Sequence, residues 1–184
     1  GGEPFEAFGE ALIVAAGGIN GSLEKVRQNW HADWRTPPQT ILNGSHRFAD
    51  GLLHDAVGRA GGNLTHLDKM WDYAAGVRHW QPRKPNHGLS VVPPRSALWV
   101  DWRGRRFAPP LVTGFDTHWL CQRVAAQEKP WTWQLLNWRI AAKEFAISGA
   151  EHNPRIRDKQ FLRFLVEILR GNHRLVRQMQ HESP

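Results

Sequence analysis

The side chains able to do chemistry are many here, and they are scattered. The ten histidines include His31, His46, His79, His118 and His152, and none pairs with another at the four-residue spacing of a zinc-binding helix. No Cys-x-x-Cys occurs either, so no metal site is expected. A Gly-x-Ser-x-Gly elbow, a phosphate-binding loop and a Gly-x-Gly-x-x-Gly turn are absent as well. Gly17, Gly18 and Gly21 cluster, but not at the dinucleotide-binding spacing. Cys121 is the sole cysteine and excludes an internal disulfide. It falls in an expected helix and reads as a small buried hydrophobe rather than a nucleophile.

Individual groups remain. His46 could donate a proton or a hydrogen bond, or be an exposed loop histidine. Arg95 could hold a carboxylate or polarise a carbonyl, or be a surface arginine. Tyr73 is the only tyrosine; it could be a proton donor or a half-buried structural ring. Asp116 reads as a helix cap. Gly17-Gly18 either lets a large ligand approach the backbone or makes a tight strand-to-helix turn.

A net charge of +7, a pI near 10.3 and ten tryptophans raise the alternative of a binding module for single-stranded nucleic acid. The basic residues are spread out, however. The densest run, Arg155, Arg157, Lys159, Arg163, Arg170, Arg174 and Arg177, has helical spacing around apolar residues. That pattern suits a solvated face, or one turned toward other domains, rather than a nucleic-acid surface. No apolar run reaches the roughly 18 residues of a membrane span, and no signal peptide is visible. A cytoplasmic protein is expected.

The elements that must position these groups come next. Ala11 to Gly18 is apolar without alternation, the pattern of a strand buried on both faces of a parallel sheet. No similar run follows, so its partners are expected upstream, in a larger protein. Ser22 caps a helix carrying Leu23, Val26 and Trp30. Residues 31–45 read as loop. Asp50 caps a helix whose stripe is Leu52, Leu53, Ala56, Val57 and Ala60, ended by Gly61-Gly62. Asn63–Leu67 reads as a short strand and residues 76–95 as irregular. Ala97–Trp102, a type I turn over Asp101–Gly104 and a return strand from Arg105 to Phe107 form the clearest hairpin. Helices are expected from Asp116 or Thr117 to about Gln127, from Thr132 to Ser148 with Gly149 closing it, from Asn153-Pro154 to Gly171, and briefly after Asn172. The fold class is α+β, with short β elements, a hairpin and a helical C-terminal half.

The order of motifs carries more than any one of them. Ala11–Gly18 resembles the Ala-Thr-Gly-Gly strand of the fumarate reductase / 3-ketosteroid dehydrogenase flavoproteins, where it also runs into a helix. Ala49-Asp50-Gly51 resembles their Gly-Asp-Gly helix start. Val100-Asp101-Trp102-Arg103-Gly104-Arg105-Arg106-Phe107 is similar to their Val-Asn-x-x-Gly-Lys-Arg-Phe turn. Leu111–Asp116 and Asn137-Trp138-Arg139 look like the subgroup of FAD-binding dehydrogenases. The resemblance covers most of residues 7–180.

It implies a split FAD-binding domain and a cap domain that builds the substrate site. Residues 1–45 would be a returning edge of the FAD domain, and 46–184 the cap. It implies that Gly17 and Gly18 line FAD, and that Asp50 and Gly51 open a helix near the flavin–substrate junction. The catalytic candidates are His46, Tyr73 and Arg95; phenols serve as proton donors in the steroid branch, the role the resemblance would give Tyr73. Two departures stand out. Ala15-Ala16 replaces Ala-Thr, and Ala108-Pro109-Pro110 replaces the Asn-Glu whose carboxylate relays a proton in fumarate reductases, so fumarate reduction is not expected. What is expected is part of an FAD-dependent dehydrogenase, inactive and without stable FAD by itself because the pyrophosphate turn is missing, partnered by the remainder of the FAD domain and a small-molecule substrate, and prone to self-association.

Overall fold

Four of the helices described begin where a side-chain oxygen meets a free backbone amide. The computed structural model describes residues 2–92, 94–112, 116–147, 153–171 and 177. Helix α1 (Leu23–Gln28) starts at Ser22, whose hydroxyl accepts from the Lys25 amide at 3.3 Å. Helix α2 (Leu52–Arg59) has Gly51 as its cap, at φ 78°, and the Asp50 carboxylate accepts from the Leu52 amide at 3.0 Å. Helices α3 (Thr117–Ala125) and α4 (Trp138–Glu144) are capped by Asp116 and Asn137, which accept from Trp119 and Ile140. Helices α5 (Pro154–Arg157) and α6 (Phe161–Arg170) complete the set.

Strands β1 (Gly76–Arg78), β2 (Gly88–Val92) and β5 (Ala146–Ile147) form one antiparallel sheet in the order β1-β2-β5. Strands β3 (Leu98–Val100) and β4 (Trp133–Leu135) form a second antiparallel pair, with Trp99 opposite Gln134. Leu89 and Val91 alternate inward along β2 and pack with Phe145. Trp99, Phe107, Leu111 and Leu120 make a second cluster, and Ala75 touches both. The Trp99 indole donates to the Thr132 hydroxyl at 2.7 Å, so its burial leaves no polar atom stranded.

Mixed helix and strand agree with the α+β expectation; several elements do not. Residues 11–18 form no strand: Leu12 and Ile13 are 87% and 89% exposed. A strand exists only through neighbours, and the described residues offer this one none. The stripe of α2 is not buried, with Leu52 66% exposed, because the contact that holds this helix is polar. Asn63–Leu67 is not a strand. Residues 76–95 are irregular only in part: β1 and β2 pair as a hairpin on either side of an irregular turn over 79–87. The period-2 pattern of β2 was hidden by the prolines and basic residues of its turn.

The return segment Arg105–Phe107 makes only a bridge, Val100 to Arg106, and the ladder of β3 is filled by β4. That pairing also overrides the helix expected from Thr132, which starts instead at Trp138 after a strand. The helix expected from Asn153 to Gly171 is broken in two at Lys159, which has φ 56°. The closing role of Gly149 and the helix after Asn172 lie outside the described residues.

The total exposed surface is 13,564 Å², against roughly 9,000 Å² for a compact monomer of this mass. Much of the excess is apolar. On α6, Leu162 is 83% exposed, and Phe161, Leu165 and Leu169 are also open to solvent. No helix among the described residues is long and apolar enough to cross a membrane.

Lys25 and Asp55 tie α1 to α2 at 2.6 Å. That hydrogen bond holds the Asp55 carboxyl below its ordinary value of 3.8. A lowered carboxylate pKa stabilises the fold above the unfolded value and loses that effect as pH falls through the folded one. The urea midpoint of wild type should therefore exceed that of Asp55→Asn at neutral pH, and the gap should close from about pH 4 downward. A gap unchanged at about pH 2 would refute this role for the pair.

Candidate functional site

The glycine-rich turn before α1 and the entry to α2 form one junction. The Gly21 amide donates to the Ala49 carbonyl at 2.7 Å, and Ser22 closes the turn by donating to Ile19 at 3.0 Å. Gly21 is there for lack of room: a Cβ would lie 2.4 Å from the His46 carbonyl oxygen and 2.7 Å from that of Ala49. Gly51 is equally constrained. It is buried, and a Cβ would meet the Lys25 stem at 2.6 Å and Ile19 at 3.0 Å.

Gly17 and Gly18 differ in kind. Beside Gly17, at φ 83°, a Cβ would meet only the Ala49 Cβ at 3.9 Å; beside Gly18, only the Asn20 side chain at 3.7 Å. Both are exposed. Protein fills the space at Gly21 and Gly51, whereas the backbone at Gly17-Gly18 is exposed and has room beside it.

The structure brings four sequence-derived candidates to this junction: Gly17, Asp50, Gly51 and His46. Gly18 belongs to the same turn. His46 is exposed, its Nδ1 accepts from the Phe48 amide at 3.4 Å, and its ring lies 5.3 Å from that of Phe48. Tyr73 is reached through one link. Its ring stacks on Trp71 at 6.3 Å, and the Trp71 carbonyl accepts from the Asn20 carboxamide at 3.4 Å. Arg95 is not brought there. It lies beside Glu144, whose carboxylate accepts from the Ser96 amide and hydroxyl at 2.9 and 2.7 Å. Those bonds, chiefly from Ser96 and with Arg95 assisting, hold the Glu144 carboxyl below its ordinary value.

Sequence reading missed Asn43 and Lys84. Asn43 is buried and joins this junction to the β1–β2 turn. Lys84 donates to Asn43 Oδ1 and to the Ser45 carbonyl, and burial pulls its ammonium below its ordinary value. The Asn43-Gly44 pair signals a turn in sequence, and nothing local marks it as more.

Two histidine pairs also meet. His79 and His87 stack at 4.1 Å on the hairpin. His31, buried, lies 4.8 Å from His118, between Trp34 and Lys69. Among the described residues no group of three or more histidine, cysteine or acidic side chains could hold a metal. The Cys121 thiol is pushed up to about 12 by burial, with the Asp72 carboxylate adding to the effect, so it is inert in the folded state.

Two predictions follow from these contacts. Gly21→Ala should lower the urea midpoint, by about 1–3 kcal/mol in stability, because two backbone carbonyls must move. Gly18→Ala should be neutral within about 0.5 kcal/mol. Equal effects in the two variants would refute the distinction between filled and open glycines. For Cys121, alkylation by iodoacetamide at about pH 8 should be slow in native protein and fast in denaturant; equal rates would show an accessible thiolate.

No protein-family model matches the sequence, and no solved structure is detectably similar. Curated relatives do match. A KsdD-like steroid dehydrogenase of Mycolicibacterium smegmatis is 38% identical over 167 residues, covering 91% of this chain and 30% of the relative. A KsdD-like steroid dehydrogenase of Mycobacterium tuberculosis is 39% identical over 150 residues, covering 82% of this chain and 26% of the relative. The chain thus spans under a third of the length of these relatives. Over nearly all of its own length, it belongs to the family of KsdD-like steroid dehydrogenases.

Proposed function

We propose that the chain is part of an FAD-dependent dehydrogenase, in which it supplies one edge of the cofactor site and most of a cap over the substrate. The observation that carries this reading is the open backbone at Gly17-Gly18, set against the filled positions at Gly21 and Gly51. A flat, rigid ligand needs bare backbone to approach closely. The residues present fit FAD in that respect. FAD, when bound, supplies the electron-accepting ring, and protein groups supply placement and charge.

In this reading Gly17 and Gly18 border the cofactor, and Asp50 and Gly51 hold the entry of α2 beside it. His46 and Tyr73, both exposed near the junction, hold or donate a proton on the substrate side. Arg95 is the weaker candidate, since Glu144 already balances it. The printed names of the relatives support a substrate with a large apolar skeleton, and the exposed rings of Phe48, Trp71 and Tyr73 offer such a molecule apolar surface. Residues 1–45 belong to the FAD-binding part and 46–184 to the cap. The apolar stretch at 11–16 then completes a sheet formed by the rest of the protein, and the chain alone is inactive. Nothing observed favours the nucleic-acid alternative.

The test is the visible absorbance of the chain and of the product of the intact gene, each with added FAD. A flavin spectrum in the intact product, weakened by Gly18→Val without loss of the fold, is the expected result. No flavin in either protein would overturn the proposal.

A further inference from the structure

Asn43 is hydrogen-bonded at every polar group it has. Its amide donates to the Asn86 carbonyl at 2.7 Å, and its carbonyl accepts from the Gly88 amide at 3.1 Å. Its Nδ2 donates to the Gly21 carbonyl at 3.1 Å. Its Oδ1 accepts from the Ser45 amide at 2.9 Å and from Lys84 Nζ at 3.1 Å. The residue is 6% exposed, so these bonds are made out of water's reach, where losing one is costly.

The chain gives up side chains to make this meeting possible. Gly88 has no room for a Cβ, which would lie 2.5 Å from that of Leu42, and Asn86 sits at φ 53°, where few residues rest easily. The product is a junction of three segments: the glycine turn through Gly21, the approach to α2 through Ser45, and the turn of the β1–β2 hairpin through Lys84, Asn86 and Gly88. Beyond its other end, the hairpin is tied to the same glycine turn by the Trp71 carbonyl and the Asn20 carboxamide. Tyr73 lies between Trp71 and β1.

We infer that Asn43 is a positioning residue: its carboxamide fixes the glycine turn and transmits that position to the hairpin that follows Tyr73 in the chain. It touches no reacting atom. Its effect passes through the Gly21 carbonyl on one side and Lys84 on the other, and so sets where Gly17 and Gly18 stand relative to the substrate side. The link to a cofactor rests on the flavin reading above; the mechanical coupling does not.

The variant that isolates the donor is Asn43→Asp. It keeps an acceptor for Ser45 and Lys84 and replaces the donor to Gly21 by a carboxylate oxygen, which loses that bond and repels the Gly21 carbonyl. Amide hydrogen exchange of the chain should then rise about tenfold over residues 17–22, the scale of one net hydrogen bond, with residues 88–92 close to wild type. Asn43→Ala should raise both segments. Exchange unchanged at 17–22, or raised uniformly along the chain, would overturn the inference. Should N43D fail to fold, Lys84→Met loosens the acceptor side alone and should raise exchange in the hairpin turn first; no change there would also overturn it.

In the product of the intact gene, N43D should weaken FAD binding about tenfold by titration. Wild type that binds FAD alongside N43D that binds it equally well overturns the positioning role. Wild type that takes no FAD refutes the flavin reading instead, and the exchange result still decides the coupling.

Discussion

The architecture depends on one close backbone approach, that of Gly21 to the Ala49 carbonyl. Two segments separated by the whole loop after α1 meet there without an intervening side chain. Everything at the junction follows from that contact. It places Ile19 and the Lys25 stem against Gly51 and brings Lys25 within reach of Asp55. It also sets the starts of α1 and α2 close together, with their first-turn amides engaged by Ser22 and Asp50. With Gly21 and Gly51 packed against protein, the backbone at Gly17-Gly18 stays bare on this side of the junction. The proposed cofactor edge rests on that difference between neighbouring glycines.

What was legible in the sequence is what neighbours in sequence decide. Ser22, Asp116 and the Asp50-Gly51 pair act within a few residues, and each sits at a helix start as expected. The Asp101–Gly104 turn was readable for the same reason: the Asp101 side chain accepts from the Arg103 and Arg105 amides. Pairings across long separations were not readable. The ladder partner of β3 is β4 rather than the nearby Arg105–Phe107, and the residues of β4 had looked like the first turn of a helix. Proline and basic residues masked β2, whose alternation of Leu89 and Val91 is short. The importance of Asn43 depends on Gly21, 22 residues before it, and on Lys84, 41 residues after it. No local signal contains that information.

The candidate site was read unevenly for a related reason. Glycines were visible as a group, but sequence could not separate those excluded by sterics from those left open. Of the three catalytic candidates, His46 comes to the junction and Tyr73 is linked to it through Trp71. Arg95 does not come there; it lies beside Glu144 at the end of α4, whose carboxylate is bonded to Ser96.

The bare leucines of α6 have a consequence for the chain as a colloid. Nothing described here covers that face, and Arg163 and Arg170 share the same helix. At low ionic strength a net charge of +7 keeps molecules apart by mutual repulsion. At roughly 1 M salt the screening length shrinks to about 3 Å, and the repulsion no longer reaches across the gap between two approaching helices. The dispersal of this chain in water is thus set by its counterions as much as by its fold.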